Sequence, residues 1–424
     1  MSATGDTASG GARAGRRSWG QHHPGGDPLR HDISTTTRRR GVLRLAAAVG
    51  CASALVGAAA VPASARAEPT IVIVPGVPQA ATPQPDGSVL YNRGGVKRTV
   101  KGAILGRYQE LEAQEGRLGW PVTDEVALRG GAVSVFEHGN VYWTSASGAH
   151  VVEGPILGAY ADGGWEHGWL GFPTSDADAV AGGVVQHFTG GLVYLQDGRT
   201  TARAVRGAIL GRYAAAGWET GDLGFPTTSE TALAGGAFTH FEHGSVYWSS
   251  ATGAQVVSGS LRDGWARLGW EKGWLGYPSS EAIDLDRGGA VQRFQGGLVY
   301  RAPATDSSAG AVVALHGAVL NRFAADGWER GALGYPLIAE EQWDRGTVTS
   351  FENGVVASSA AGTYAVLSPE VLGAWKDRGW ETGLLGWPTA EQQVRANGVR
   401  QTFTGGTVTY DDTTSTTIVD LLHR

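Results

Sequence analysis

The chain has 424 residues with a formal net charge of −6, and its 34 basic residues do not outnumber its 40 acidic ones; this excludes nucleic acid and anionic lipid as favoured partners, since both are held largely by clustered Lys and Arg. Glycine is abundant at 66 residues, yet the 15 tryptophans are more aromatic content than a disordered chain carries, so the sequence is that of a folded protein. One cysteine and one methionine leave no material for a disulfide framework or a cysteine metal centre.

Residues 1–67 are expected to be an export signal and not part of the fold. Arg39 and Arg40 open a stretch that resembles a twin-arginine signature, and Leu45 to Val61 supplies an alanine-rich apolar run. That run is shorter and less apolar than the roughly 20 residues a membrane span needs. Ala65-Arg66-Ala67 satisfies a small-x-small cleavage site, which would leave Glu68 as the mature start and no stable membrane span. Cys51 lacks the preceding leucine that a lipidated cysteine usually has. With nine arginines and three aspartates in the leader, the exported part carries 25 basic against 37 acidic residues, a net charge near −12. Such a surface suits a neutral polysaccharide.

Residues 68–86, with Pro75, Pro78, Pro83 and Pro85, are expected to be an extended linker. Beyond it the chain is an array. Leu-Gly-aromatic-Pro recurs at Leu118, Leu170, Leu223, Leu275, Leu333 and Leu385, spaced 52, 53, 52, 58 and 52 residues apart, and so regular a period marks one supersecondary unit repeated. The expected segments are a half repeat at 87–101 and six units at 102–153, 154–206, 207–258, 259–316, 317–369 and 370–424. The one long spacing contains a Ser/Ala-rich insertion, Pro303 to Gly310, expected as a surface loop.

Each unit divides into three parts. In the third, Ile209, Leu210 and Tyr213 share one face of a short helix that Gly217 ends, and Trp218 folds back beside it. Leu223-Gly224-Phe225-Pro226 follows as a tight turn in which Gly224 permits positive φ, Phe225 anchors the turn in the core and Pro226 fixes the exit. The same roles fall to Gly171, Phe172 and Pro173, and to Gly276, Tyr277 and Pro278. After the polar connection Thr227 to Glu230, the alternation from Gly236 to Val257 predicts a β-hairpin or three-strand meander. The fold class is therefore α+β, with six helix-turn-β-hairpin units. Because a unit this small cannot bury its apolar face alone, neighbours must share cores. A pseudo-symmetric ring or propeller-like array would remove open edges; an open solenoid is the alternative.

Gly-Trp-Glu-x-Gly-x-Leu-Gly-aromatic-Pro occurs at 164–173, 217–226, 269–278, 327–336 and 379–388. This pattern resembles the LGFP repeat of exported proteins in mycolic-acid-containing actinobacteria, over nearly all of the chain from Gly87 to Leu422. The resemblance implies attachment to the cell wall with no activity of its own, since such repeats are usually appended to envelope enzymes. The first copy departs from the pattern, with Ala113-Gln114-Glu115-Gly116 in place of Trp-Glu-x-Gly. A two-copy regularity is also visible. Phe-Glu-His/Asn-Gly at Phe136, Phe241 and Phe351 marks odd copies, and Phe-Thr/Gln-Gly-Gly at Phe188, Phe294 and Phe403 marks even ones.

Trp165, Trp218, Trp270, Trp328 and Trp380 are each followed by a glutamate, namely Glu166, Glu219, Glu271, Glu329 and Glu381. The ring is either a sugar platform, with the glutamate accepting hydroxyl hydrogen bonds, or the large side chain that every small core needs, and its regularity favours the core. Trp169 and Trp274 are better glycan-binding candidates, because the same position tolerates Arg117 and Asp222 elsewhere and is therefore wet. Glu137-His138 and Glu242-His243 lack a second histidine at ligand spacing, so neither a metal nor any other cofactor is expected. Glycoside hydrolysis needs two carboxylates in unlike environments, whereas these glutamates come as five equivalent copies. Three functions are expected in descending order: a non-catalytic protein bound to wall glycan, arabinogalactan or peptidoglycan; a scaffold docking other envelope proteins; and a glycan hydrolase.

Overall fold

The computed structural model of the chain describes residues 80–304 and 310–422. The expected leader with Arg39, Arg40 and Cys51 lies outside these residues, as do 68–79 of the expected linker and 305–309 of the inserted loop. The end of the linker is not a tether: Ala80–Pro83 pairs antiparallel with the residues from Val89 to Asn92. With Val89–Arg93 and Val96–Val100 it makes a three-stranded leading sheet.

Six helices follow, α1 (Gly102–Glu110), α2 (Gly154–Asp162), α3 (Gly207–Ala215), α4 (Gly259–Arg267), α5 (Gly317–Ala325) and α6 (Pro369–Lys376). Each leads through a short 3-10 turn and the Leu-Gly-aromatic-Pro segment into a four-stranded antiparallel meander. The expected hairpin is thus extended. In the third unit Thr231–Leu233 is added at the edge of Gly236–His240, Gly244–Ser249 and Gly253–Ser258. The proline explains the extra strand. Pro226 bridges Phe241 and lays the chain along the sheet edge, and in the second and fifth units the strand begins at the proline itself, as Pro173–Val180 and Pro336–Trp343.

The six buried clusters lie between consecutive sheets. The third joins Tyr194 and Val205 of the second sheet, Ile209 and Tyr213 of α3, Leu223 and Phe225 of the turn, and Phe241 and Val246 of the third sheet. Adjacent strand residues point to opposite faces, so Val141 enters the first core and Tyr142 the second. Nine-residue helices are marginal alone, and α3 is held through Tyr213, whose hydroxyl donates to the Gly224 carbonyl at 3.0 Å while its ring lies edge-on to Tyr194.

The aromatic residue of each turn reaches backward. Phe172 lies where a Cβ on Gly131 of the preceding sheet would stand 2.8 Å from it, and Phe225 on Gly183, Tyr277 on Gly236, Tyr335 on Gly289 and Trp387 on Gly346 repeat the arrangement. Rings with a polar end also donate to that neighbour: Tyr277 Oη to the Ala234 carbonyl at 3.1 Å and Trp387 Nε1 to the Asp344 carbonyl at 3.0 Å.

Junctions between units are of two kinds. Entering odd units, Glu137, Glu242 and Glu352 accept the N–H of the turn aromatic at 3.0, 2.9 and 3.0 Å, and their other oxygens bind Arg93, Gln196 and Arg287 of the preceding sheet or its loop. Entering even units, Arg107, Arg212 and Arg322 on odd helices pair with Asp176, Glu281 and Glu391. The buried Gln186 and Gln292 amides donate to the Val151 and Val256 carbonyls, each at 2.7 Å.

The outer face of the last sheet carries Arg400, Thr409 and Asp420, in register with Val133, Tyr142 and Val152, which line the second core. No buried cluster among the described residues joins the leading and last sheets. The expected ring or propeller is therefore not shown, and an open array fits the same contacts.

Two glycine substitutions should have opposite effects. A Cβ on Gly183 would collide with the Leu195 carbonyl oxygen and stand 3.1 Å from Phe225, so Gly183→Ala should cost about 1–3 kcal/mol. Gly211 of α3 has open space around it, so Gly211→Ala should add about 0.5–1 kcal/mol. Urea midpoints of the two variants, lowered in the first and raised in the second, check both.

Candidate functional site

The Gly-Trp-Glu-x-Gly stretch is a backbone device. Gly164, Gly217, Gly269, Gly327 and Gly379 have φ between 84° and 92°, and the tryptophans that follow have φ between 54° and 62°. A bulky residue in the left-handed region costs roughly 1–2 kcal/mol, and the sequence gives no sign of it. What holds each ring there is an edge-on contact with the helix aromatic, at 5.8 Å from Trp165 to Tyr160, 5.7 Å from Trp218 to Tyr213, 5.2 Å from Trp270 to Trp265, 5.8 Å from Trp328 to Phe323 and 5.2 Å from Trp380 to Trp375. The closing glycine is required as well, since a Cβ on Gly168 would collide with the Gly163 carbonyl oxygen. In the first copy Ala113, at φ 48°, takes the tryptophan's place in the same turn.

The paired glutamates lie deeper than a solvent-facing ligand group. The Glu166 side chain is 10% exposed, Glu329 accepts from the Tyr300 hydroxyl of the preceding sheet at 3.5 Å, and Glu381 accepts the Asp344 N–H at 3.4 Å. Glu219 and Glu271 lie close enough to Tyr194 and Tyr247 to add to the upward shift that burial imposes on those hydroxyls.

In the first, second and fourth copies the residue before Leu-Gly faces the residue that precedes the next helix. Arg117 pairs with Glu153 at 3.1 Å, the Arg206 guanidinium lies 4.5 Å from the Trp169 ring centroid, and His316 meets Trp274 edge-on at 4.4 Å. The second member is tied to a glutamate four residues beyond the following proline: Arg206 to Glu230 at 2.8 Å and His316 to Glu340 at 3.7 Å. Two equivalent constellations result, Trp169–Arg206–Glu230 and Trp274–His316–Glu340.

They differ in access. Trp169 is half-buried beneath Arg206, whereas Trp274 is 45% exposed. Trp274 walls a cleft of about 260 Å³ with Gly264, Arg267, Val312, His316 and Glu340. In the sixth unit Leu384 holds the position at 65% exposure. Sequence reading found the two tryptophans but not Arg206, Glu230, His316 or Glu340, although glutamate at proline-plus-four in odd copies and alanine or glutamine there in even ones was available as a signal. No group of three or more metal-ligating side chains is assembled among the described residues, and no helix among them is long and apolar enough to cross a membrane.

Stacked sheets sharing cores, short helices wedged between them and junction contacts that alternate from unit to unit define a tandem α+β repeat protein. The LGFP repeat model matches residues 118–168, 170–221, 223–273, 275–331 and 333–383, well over half of the chain. The chain belongs to the LGFP repeat family. Nothing among curated proteins matches it.

Solved structures give distant alignments. The extracellular domain of BT4673 from B. thetaiotaomicron is 9% identical, with 80% of this chain and 42% of that one covered and a TM-score of 0.14. AztD from Citrobacter koseri is 10% identical over 81% and 86%, at 0.11, and PorZ of Porphyromonas gingivalis 10% over 71% and 38%, also at 0.11. The chain spans less than half of the BT4673 domain, and TM-scores this low define no common fold.

The junction glutamates predict an acid response. The Phe225 N–H and then the Gln196 amide hold the Glu242 carboxyl below its ordinary value. At Glu352 burial acts upward, but the Arg287 guanidinium and the Tyr335 N–H together outweigh it and the net shift is downward. A carboxyl depressed in the folded state adds stability above its unfolded value and loses it as pH falls through the folded one. Glu352→Gln should therefore lower the urea midpoint at neutral pH, and its deficit against wild type should shrink as pH drops below 4.5, the ordinary glutamate value.

Proposed function

We propose that this is an exported, non-catalytic wall protein whose repeats hold it to envelope polysaccharide, arabinogalactan or peptidoglycan. The observation that carries the reading is the exposed Trp274 ring set among Arg267, His316 and Glu340. An indole face takes the C–H face of a sugar, and charged side chains around it donate to and accept from hydroxyls. Membership of the LGFP family supports cell-wall association, and the Arg39-Arg40 leader supports export by a twin-arginine route.

The exposure of Trp274 counts against the second reading, a scaffold for envelope proteins with its tryptophans wholly internal. Hydrolysis has less support, because Glu340 is the single carboxylate lining this cleft among the described residues and two are needed. Cosedimentation with purified wall is the test. The full chain should pellet with wall and release no soluble sugar. Equal recovery in the supernatant with and without wall would reject attachment, and released sugar would reject the non-catalytic assignment.

A further inference from the structure

We infer that the two equivalent clefts are functionally unequal: the Trp274 cleft takes one neutral sugar ring, and its counterpart at Trp169 is held shut by Arg206. This rests on the glycan-binding reading above. The residue before the next helix is the determinant. His316 is short and meets the Trp274 indole edge-on, which leaves the ring 45% exposed. Arg206 is long enough to lay its guanidinium over Trp169, and Glu230 fixes it there at 2.8 Å. A sugar can stack on Trp169 only after displacing that cation and stranding the largely buried Glu230 carboxylate, which is costly.

The neighbouring helices differ in the same sense. Gly264 of α4 has no side chain beside the cleft and Arg267 ends the helix at its rim, whereas Ala159 and Asp162 stand at these positions of α2. The Trp274 cleft therefore offers an exposed indole with Arg267 as a donor and, beside His316, the Glu340 carboxylate as an acceptor. That set matches the hydroxyls of an uncharged ring, and Glu340 would repel a sugar carboxylate placed against it. A volume of about 260 Å³ is near the lower end for a small-ligand site and suits a single residue of a longer chain.

The test is calorimetric titration of the full chain with soluble galactan and arabinan oligosaccharides, and with oligogalacturonate as the acidic probe. Trp274→Ala should weaken binding of a neutral probe by about tenfold or more, with Trp274→Phe between it and wild type. Trp169→Ala should leave affinity unchanged. Arg206→His, which copies the open cleft and keeps a partner for Glu230, should raise the stoichiometry from about one toward about two ligands per chain.

Wild-type affinity in Trp274→Ala, or unchanged stoichiometry in Arg206→His, overturns the inference, as does tighter binding of oligogalacturonate than of either neutral probe. If the wild type neither pellets with wall nor binds any probe, the glycan reading itself falls. If it pellets and Trp274→Ala pellets equally well, only the assignment of the cleft falls. Circular dichroism of each variant separates loss of binding from loss of fold.

Discussion

The structure depends on an aromatic ring seated in a gap that a neighbouring unit leaves for it. Each Leu-Gly-aromatic-Pro turn is fastened to its own sheet by the backbone, with Pro226 bridging Phe241 and the Leu223 carbonyl accepting from His243. In the second to sixth units its ring goes to the sheet before, onto a glycine, at the start of a strand, whose missing side chain is the seat. Truncating such a ring to alanine typically costs about 3–5 kcal/mol, more than a nine-residue helix can supply by itself. The turn therefore belongs energetically to two units at once, and stacking is a condition of folding.

Other features follow from that sharing. A sheet that receives a ring on one face and sends its own turn's ring away from the other must be apolar on both, which is why Val141 and Tyr142 enter different cores. The leading sheet, built from what looks like a surplus half unit, supplies Val89, Tyr91 and Val100 as the wall of the first core. On the last sheet Arg400, Thr409 and Asp420 interrupt the apolar pattern, so the face that in the first sheet lines a core is polar here.

Much of this is legible in the sequence, and the rest is hidden for physical reasons. The period, the helix face with Ile209 and Tyr213, and the positive φ of Gly224 follow from local rules. The seats at Gly131, Gly183 and Gly236 do not, because a glycine opening a strand reads equally well as a turn and only the next unit shows what occupies it. The left-handed tryptophans contradict local preference and persist because the helix aromatic beside them fixes the ring. The partners of Trp169 and Trp274 escape notice because each constellation is assembled from two units, Arg206 and Glu230 being 24 residues apart. The two-copy alternation is visible in Phe-Glu-His-Gly against Phe-Thr-Gly-Gly, but its meaning as two kinds of junction needs the contacts.

That alternation has a consequence for how such an array changes length. Loss of the third unit alone would set Ala159 of α2 opposite Glu281 and remove the Arg212 guanidinium that answers it. Loss or duplication of a consecutive pair keeps every arginine facing its acid and every junction glutamate facing its donor. The inheritable module is thus about a hundred residues, two units of roughly 52 each, and the array is counted in even steps.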